Sequence, residues 1–180
     1  MICMDTMTTE QRSRLMAKIR GKDTLPEILV RKRLFALGWR YRVCDKRFQG
    51  KPDIVIPKAK TIIDVRGCFW HRHGCKDSTM PKSNVAFWME KWSKNVKRDH
   101  RNESAWRDAG WNLIIVWQCA LEGDKASRTL DRICARLDLW SAECGLCKPR
   151  RIFHKLELPS SIGVKSHNSI RPRRKNESPL

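Results

Sequence analysis

Two short stretches of the chain carry side chains suited to metal and hydrolytic chemistry. The denser is Cys68-Phe69-Trp70-His71-Arg72-His73-Gly74-Cys75, with two thiols and two imidazoles in eight residues. Thiolate sulfur and imidazole nitrogen are the usual ligands of tetrahedral zinc. A shell built from Cys68, His73 and Cys75 needs one more member. Cys119, directly after an apolar run, can return to the same end of a sheet and supply it. His71 is then left over. An imidazole held near a phosphate can take a proton from attacking water; as a zinc ligand or a stacked surface ring it would have no such part.

The second stretch holds two carboxylates, Asp53 and Asp64, on either side of Ile54-Val55-Ile56, Pro57 to Lys60, and Thr61-Ile62-Ile63. If residues 57–60 form a four-residue turn between two strands, Ile56 faces Thr61, Val55 faces Ile62, Ile54 faces Ile63 and Asp53 faces Asp64. Directly opposed residues have Cβ atoms about 4.5–5.5 Å apart, and carboxylates that close repel unless a cation lies between them. A hard divalent ion such as magnesium fits oxygen ligands of this kind, and it can activate water and neutralise charge on phosphate oxygens. A slip of one residue would turn Asp64 to the other face, and Asp53 after Pro52 also reads as a simple turn residue.

These residues need elements to hold them. Thr8 followed by Gln11 resembles a capping box opening a helix to about Arg20. Thr24-Leu25-Pro26-Glu27 is a second helix start, and Gly38 is its stop. Trp39 to Val43 reads as a strand, followed by the two β-branched runs of the hairpin. A Gly-, Cys- and His-rich loop spans Arg66 to Cys75. A helical region, expected to be interrupted, runs from Asn84 to Ala109 and is closed by Gly110. Leu113 to Val116, within Trp111 to Trp117, is the most apolar strand and suits a central sheet position. Ser127 to Trp140 reads as an amphipathic helix. This order predicts an α/β sandwich around a mixed sheet, with the globular domain over residues 1–147. From Lys148 to Leu180 there are nine Lys/Arg against two Glu and no periodicity, which reads as a basic, disordered tail serving phosphate affinity or solubility. Cys144-Gly145-Leu146-Cys147 lacks a second pair and is a weak metal or redox signal.

Composition narrows the partners. Lys and Arg number 38 against 19 Asp and Glu, a net charge of +19, so a polyanion is expected, nucleic acid ahead of anionic lipid or plain solubility. Eight tryptophans add flat faces that can stack on bases or wedge between them. No run approaches the about 18 apolar residues of a membrane span, and no signal peptide is expected at the start. The eight cysteines are therefore expected in a reducing compartment, as ligands or packing groups rather than disulfides.

The run Gly67 to Cys75 resembles the signature of the very-short-patch-repair (Vsr) mismatch endonucleases. So do Arg12-Ser13-Arg14-Leu15-Met16, Gly50-Lys51-Pro52-Asp53, Phe87-Trp88-Met89-Glu90-Lys91, Lys94-Asn95-Val96 with Arg98-Asp99, and Gly110-Trp111 through Ile115 to Leu121. The likeness covers about Thr8 to Trp140 and not the tail. It implies a restriction-endonuclease-type fold with a structural zinc site. The implied activity is a nick in duplex DNA 5′ of the thymine of a T·G mismatch left by deamination of 5-methylcytosine. It also implies roles. Asp53 would bind magnesium, His71 would activate water and Glu27 would support the site. Cys68, His73, Cys75 and Cys119 would hold zinc. Phe69, Trp70 and Trp88 would insert beside the mismatch, with Met16 wedged from the opposite groove. The family places Thr-His before the Gly-Cys pair, where this chain has Val65 and Arg66. The backbone carbonyl of Val65 could still face magnesium, and Arg66 could replace the histidine as a cation but not as a proton carrier. With Asp64 present, the pattern also approaches the general PD…(D/E)xK nuclease site. A monomeric, cytoplasmic, nucleoid-associated enzyme paired with a cytosine-5 DNA methyltransferase is the matching expectation. A restriction-type or nonspecific nickase of the same fold, and a non-catalytic zinc-stabilised DNA-binding protein, are the alternatives.

Overall fold

The computed structural model describes residues 8–18 and 21–143. The basic tail and the Cys144/Cys147 pair lie outside them. Helix α1 (Thr9–Lys18) opens with the expected box: the Thr8 amide donates to Gln11 Oε1 at 2.9 Å and the Gln11 amide to Thr8 Oγ1 at 3.2 Å. Helix α2 (Leu25–Ala36) starts on the Thr24/Glu27 box with Pro26 in its first turn. The strand expected over Trp39 to Val43 shrinks to β1 (Arg42–Val43). The cause lies at the end of α2, where Gly38 adopts φ +76° and the Trp39 amide turns back to the Leu34 carbonyl at 2.9 Å. Trp39 is thereby spent on the core rather than on a strand.

Strands β2 (Ile54–Ile56) and β3 (Thr61–Arg66) pair antiparallel in the expected register, Ile54 with Ile63, Val55 with Ile62 and Ile56 with Thr61. The turn between them is a single 3₁₀ turn over Pro57–Ala59, closed by Lys60 in the left-handed region. Helix α3 (Val85–Asp108) is continuous over 24 residues, not interrupted as expected. No glycine or proline falls within it, and its buried acids Asp99 and Glu103 are partnered by His71 and Arg66. Strand β4 (Asn112–Trp117) runs parallel to β3, and α4 (Lys125–Glu143) closes the described part of the chain.

The sheet order is β1-β2-β3-β4, so among the described residues β4 is an edge rather than a central strand. Its run of apolar residues has another cause: helices cover both faces of the sheet. One face carries Ile54, Ile56, Ile63 and Val116 against Val30, Leu34 and Trp39 and against Leu130, Ile133 and Leu137 of α4. The opposite face carries Val55 and Ile62 against Trp106 of α3, with Phe48, Trp111 and Leu113 alongside. Burial on both sides explains why β2 shows no apolar–polar alternation. The alternation that matters for the site is geometric: residues 55, 62, 64 and 66 share the face covered by α3, as do 113, 115 and 117 of β4. Among the described residues no helix is long and apolar enough to cross a membrane.

Candidate active site and adjoining metal centre

Asp53 directly precedes β2 and Asp64 lies in β3, both at the end of the hairpin away from its turn. Asp53 is fixed by a hydrogen bond that its Oδ2 accepts from the Val65 amide at 2.7 Å. Burial pushes its carboxyl up to about 7, and the negative charges of Asp64 and Glu27 add to the rise against the pull of Arg31. Glu27, 4% exposed, is the capping residue of α2 and more. Its Oε1 accepts from the Thr24 hydroxyl at 2.8 Å, and its Oε2 accepts from Arg31 at 2.6 Å. Arg31 also pairs with Asp23. One carboxylate cluster thus faces inward with less positive charge than it needs.

Asp64 and Arg66 point to α3. The Arg66 Nε donates to Asp64 Oδ2 at 2.7 Å, and its Nη1 lies 2.8 Å from Glu103 Oε1. Its Nη2, though 2.7 Å from the same Asp64 oxygen, makes no hydrogen bond within the protein. The guanidinium is 5% exposed. Glu103 belongs to a stripe on α3, with Asp99, Asn102 and Trp106, spaced so that all four face the sheet.

Asp99 holds the leftover histidine: His71 Nδ1 and Asp99 Oδ2 stand 2.5 Å apart. Burial pushes the Asp99 carboxyl up, but the bond to His71, with the charges of His71 and Arg66 and a contact to Arg98, outweighs it and leaves the group below its ordinary value. The pair fixes the imidazole with Nδ1 toward the carboxylate and Nε2 outward. Asp99 lies one turn before Glu103, whose partner Arg66 also holds Asp64, so His71 and Asp64 are linked through α3.

Beside this site, Cys68, His73, Cys75 and Cys119 bring their ligand atoms within 4.8 Å of one another. Ligands about 2.0–2.3 Å from a tetrahedral ion stand roughly 3.3–3.8 Å apart, so the group fits a metal with little adjustment. His73 Nδ1 is 3.5 Å from Cys119 Sγ, and the Cys119 amide donates to Cys68 Sγ at 3.4 Å. The loop reaches this arrangement by successive turns, the His71 amide bonding the Gly67 carbonyl and the His73 amide the Cys68 carbonyl. Burial raises the Cys68 thiol to about 12 and raises Cys119 also. Cys44 and Cys134 are ordinary free thiols elsewhere.

Phe69, Trp70 and Trp88 meet edge to face or tilted, at centroid distances of 5.0–6.0 Å, over the buried Trp92. Lys91 lies over Trp70 and Trp88, and Asn95 donates to the Trp70 carbonyl at 3.0 Å. Met16 is exposed on α1.

The model of the family described as "DNA mismatch endonuclease Vsr" matches residues 4–77. A type II nicking enzyme, V.NmeAIP of Neisseria meningitidis serogroup A, is 49% identical over 69% of this chain and 89% of its own length. The chain belongs to the Vsr endonuclease family. Another nicking enzyme, V.XorIIP of Xanthomonas oryzae, is 43% identical over 65% of this chain and 86% of its own length. The DNA mismatch endonuclease Vsr of Escherichia coli is 38% identical over 72% and 82%. Membership makes the protein a DNA endonuclease, a hydrolase of phosphodiester bonds, and its mixed sheet flanked by helices is the restriction-endonuclease-like fold of the Vsr family.

Sequence reasoning assigned no role to three residues of this Vsr site: Asp99, Glu103 and Trp117. A signal for the first was present. Trp92, Asp99 and Trp106 recur every seven residues, so an acid sits in the buried row of an otherwise aromatic helix face, where it must have a partner.

Proposed function

We propose that this protein is a magnesium-dependent endonuclease that nicks duplex DNA 5′ of the thymine in a T·G mismatch arising from deamination of 5-methylcytosine. The observation that carries the reading is a histidine held by Asp99, one turn along α3 from the Glu103–Arg66–Asp64 chain, with the buried carboxyl of Asp53 near Asp64.

The donor set fits a hard divalent cation. Asp53 and Asp64 offer oxygen, Glu27 adds negative field, and burial together with these neighbouring charges holds the Asp53 carboxyl up. Asp53, Asp64 and the backbone carbonyl of Val65 would hold magnesium, which would stabilise charge on the phosphate oxygens and lower the pKa of water. Arg66, ion-paired with Asp64 and Glu103, would supply positive charge toward a non-bridging phosphate oxygen. His71 Nε2 takes the proton from the attacking water, and Asp99 holds the ring and balances the imidazolium that forms. Cys68, His73, Cys75 and Cys119 would hold zinc, which pins the loop bearing His71. Phe69, Trp70 and Trp88, packed edge to face or tilted, form a wedge beside the mismatch, and Met16 enters from the other groove. A monomer suffices, since one strand is cut, and a cytosine-5 methyltransferase is the functional partner in the cytoplasm.

The test is nicking of T·G duplexes in varied sequence contexts, with and without magnesium, beside matched duplexes and Asp53→Ala. Nicking confined to T·G duplexes, and lost to background in Asp53→Ala with zinc retained, is expected. Equal cutting of matched duplexes would select a plain nickase, the word used for several relatives. Full activity in Asp53→Ala would end the metal reading.

A further inference from the structure

Trp117 stands between the two halves of the site. It is the last residue of β4, paired in register with Arg66, and shares the α3-covered face with Asp64. Three functional side chains meet its indole. The His73 ring stacks on it at 4.1 Å between centroids and 13° between planes. The His71 ring meets it edge to face at 6.5 Å. The Arg66 guanidinium lies 5.9 Å from its centroid. Contacts at these distances are attractive for aromatic pairs and for a cation over a ring. No other side chain touches the zinc-type cluster, the water-activating histidine and the buried arginine at once among the described aromatic contacts.

We propose that Trp117 is a positioning residue for hydrolysis, a flat wall that carries the geometry of the Cys/His centre to His71. The inference rests on the reading of His71 as the group that accepts the proton. Asp99 fixes His71 through one nitrogen only, which leaves the ring free to swing about that bond. A rigid indole edge against the imidazole removes this freedom. The wall is itself held by the stack with His73, whose ring would be locked once Nδ1 and the three thiols share an ion. Strand pairing fixes the other end, since β4 is tied to β3 next to Arg66. The centre is thus more than a loop clip, because its closure sets the plane on which the proton acceptor rests.

The experiment compares Trp117→Phe and Trp117→Met, which both keep bulk while only one keeps a ring, with His71→Ala alongside. The readouts are zinc content, duplex affinity and the single-turnover nicking rate at saturating enzyme. A displacement of about 1 Å at a reacting group costs on the order of 10²-fold in rate. Trp117→Met is expected to bind duplex and zinc as the wild type does and to nick about 10–100-fold more slowly, with Trp117→Phe recovering most of the rate. Wild-type rate in Trp117→Met, with His71→Ala slow, overturns the inference and leaves the proposed function standing. A rate that falls only in step with lost zinc, or failure of both variants to fold, makes Trp117 a packing residue and also overturns it. Full rate in His71→Ala removes the reading beneath it, and the inference with it.

Discussion

The carboxylate corner and the Cys/His loop are neighbours held by opposite means. Asp64 and Arg66 sit on β3 and Asp53 just before β2, held by strand register, helix cover and the Val65 amide. Burial, with the negative charges of Asp64 and Glu27, holds the Asp53 carboxyl up in this corner. The loop from Cys68 to Cys75 has few backbone bonds and no strand of its own. What it lacks is a crosslink, and burial pushes up the thiol of Cys68 and that of Cys119 beside it, whose protons a bound ion would displace. Metal removal should therefore unmake the loop but only discharge the corner.

The largest effect expected from this contrast is on the loop. Cys119→Ser removes one of four ligands, and structural zinc carries apparent binding free energies of about 10–16 kcal/mol in small domains, much of it folding energy. Zinc stoichiometry should fall well below one, and limited proteolysis should open within residues 68–75. The sheet, built on the two apolar clusters, should keep its far-ultraviolet dichroism. Stoichiometric zinc in Cys119→Ser would show that the loop closes on another ligand.

The same contrast explains how much of the site could be read in the sequence. The Cys/His ligands were legible because metal chemistry restricts residue types, and a dense cluster of four such residues has few other uses. The hairpin register was legible because both runs are β-branched and the intervening residues 57–60 fit one turn. Asp99, Glu103 and Trp117 were not assigned because their roles depend on which helix covers which face, a tertiary choice that local periodicity does not encode. The interruption expected in α3 has a related cause: Asn95, Asp99 and Glu103 look like breakers of an apolar face until Trp70, His71 and Arg66 are set opposite them. β4 looked central because burial on both faces was taken for strands on both sides.

A smaller effect, of opposite sign, belongs to the corner. Asp53 has a folded-state value of about 7 against an ordinary 3.8. Between those values the folded, metal-free protein binds more protons than the unfolded chain, so its stability is highest below about pH 4 as far as this group is concerned and is lost as pH rises toward 7. Asp53→Asn removes that loss. Denaturant titrations with chelator for magnesium alone should find it about 1–3 kcal/mol more stable than wild type at pH 7.5, with little difference at pH 4. For the same reason manganese affinity of the wild type should rise up to about tenfold per pH unit below 7 and level off above. A destabilised Asp53→Asn at pH 7.5 would mean that the corner is balanced without a cation.

The smallest expected effect tests whether backbone geometry aims the corner independently of either ion. Gly50 has φ +77° three residues before Asp53, and a Cβ built there would fall 2.1 Å from Asn102 Nδ2 on α3. Gly50→Ala therefore meets two costs, a left-handed backbone and a collision with a buried amide, together about 1–2 kcal/mol if Asn102 can turn aside. Asn102→Ala relieves only the collision, so the double variant should regain part of the loss and the remainder should be the backbone term. Because the loop does not depend on this turn, zinc content should be untouched in all three proteins, while nicking slows in Gly50→Ala as Asp53 moves off its hydrogen bond to the Val65 amide. Zinc loss in Gly50→Ala would instead mean that the corner and the loop are one cooperative unit, and that their separate means of support do not make them separable.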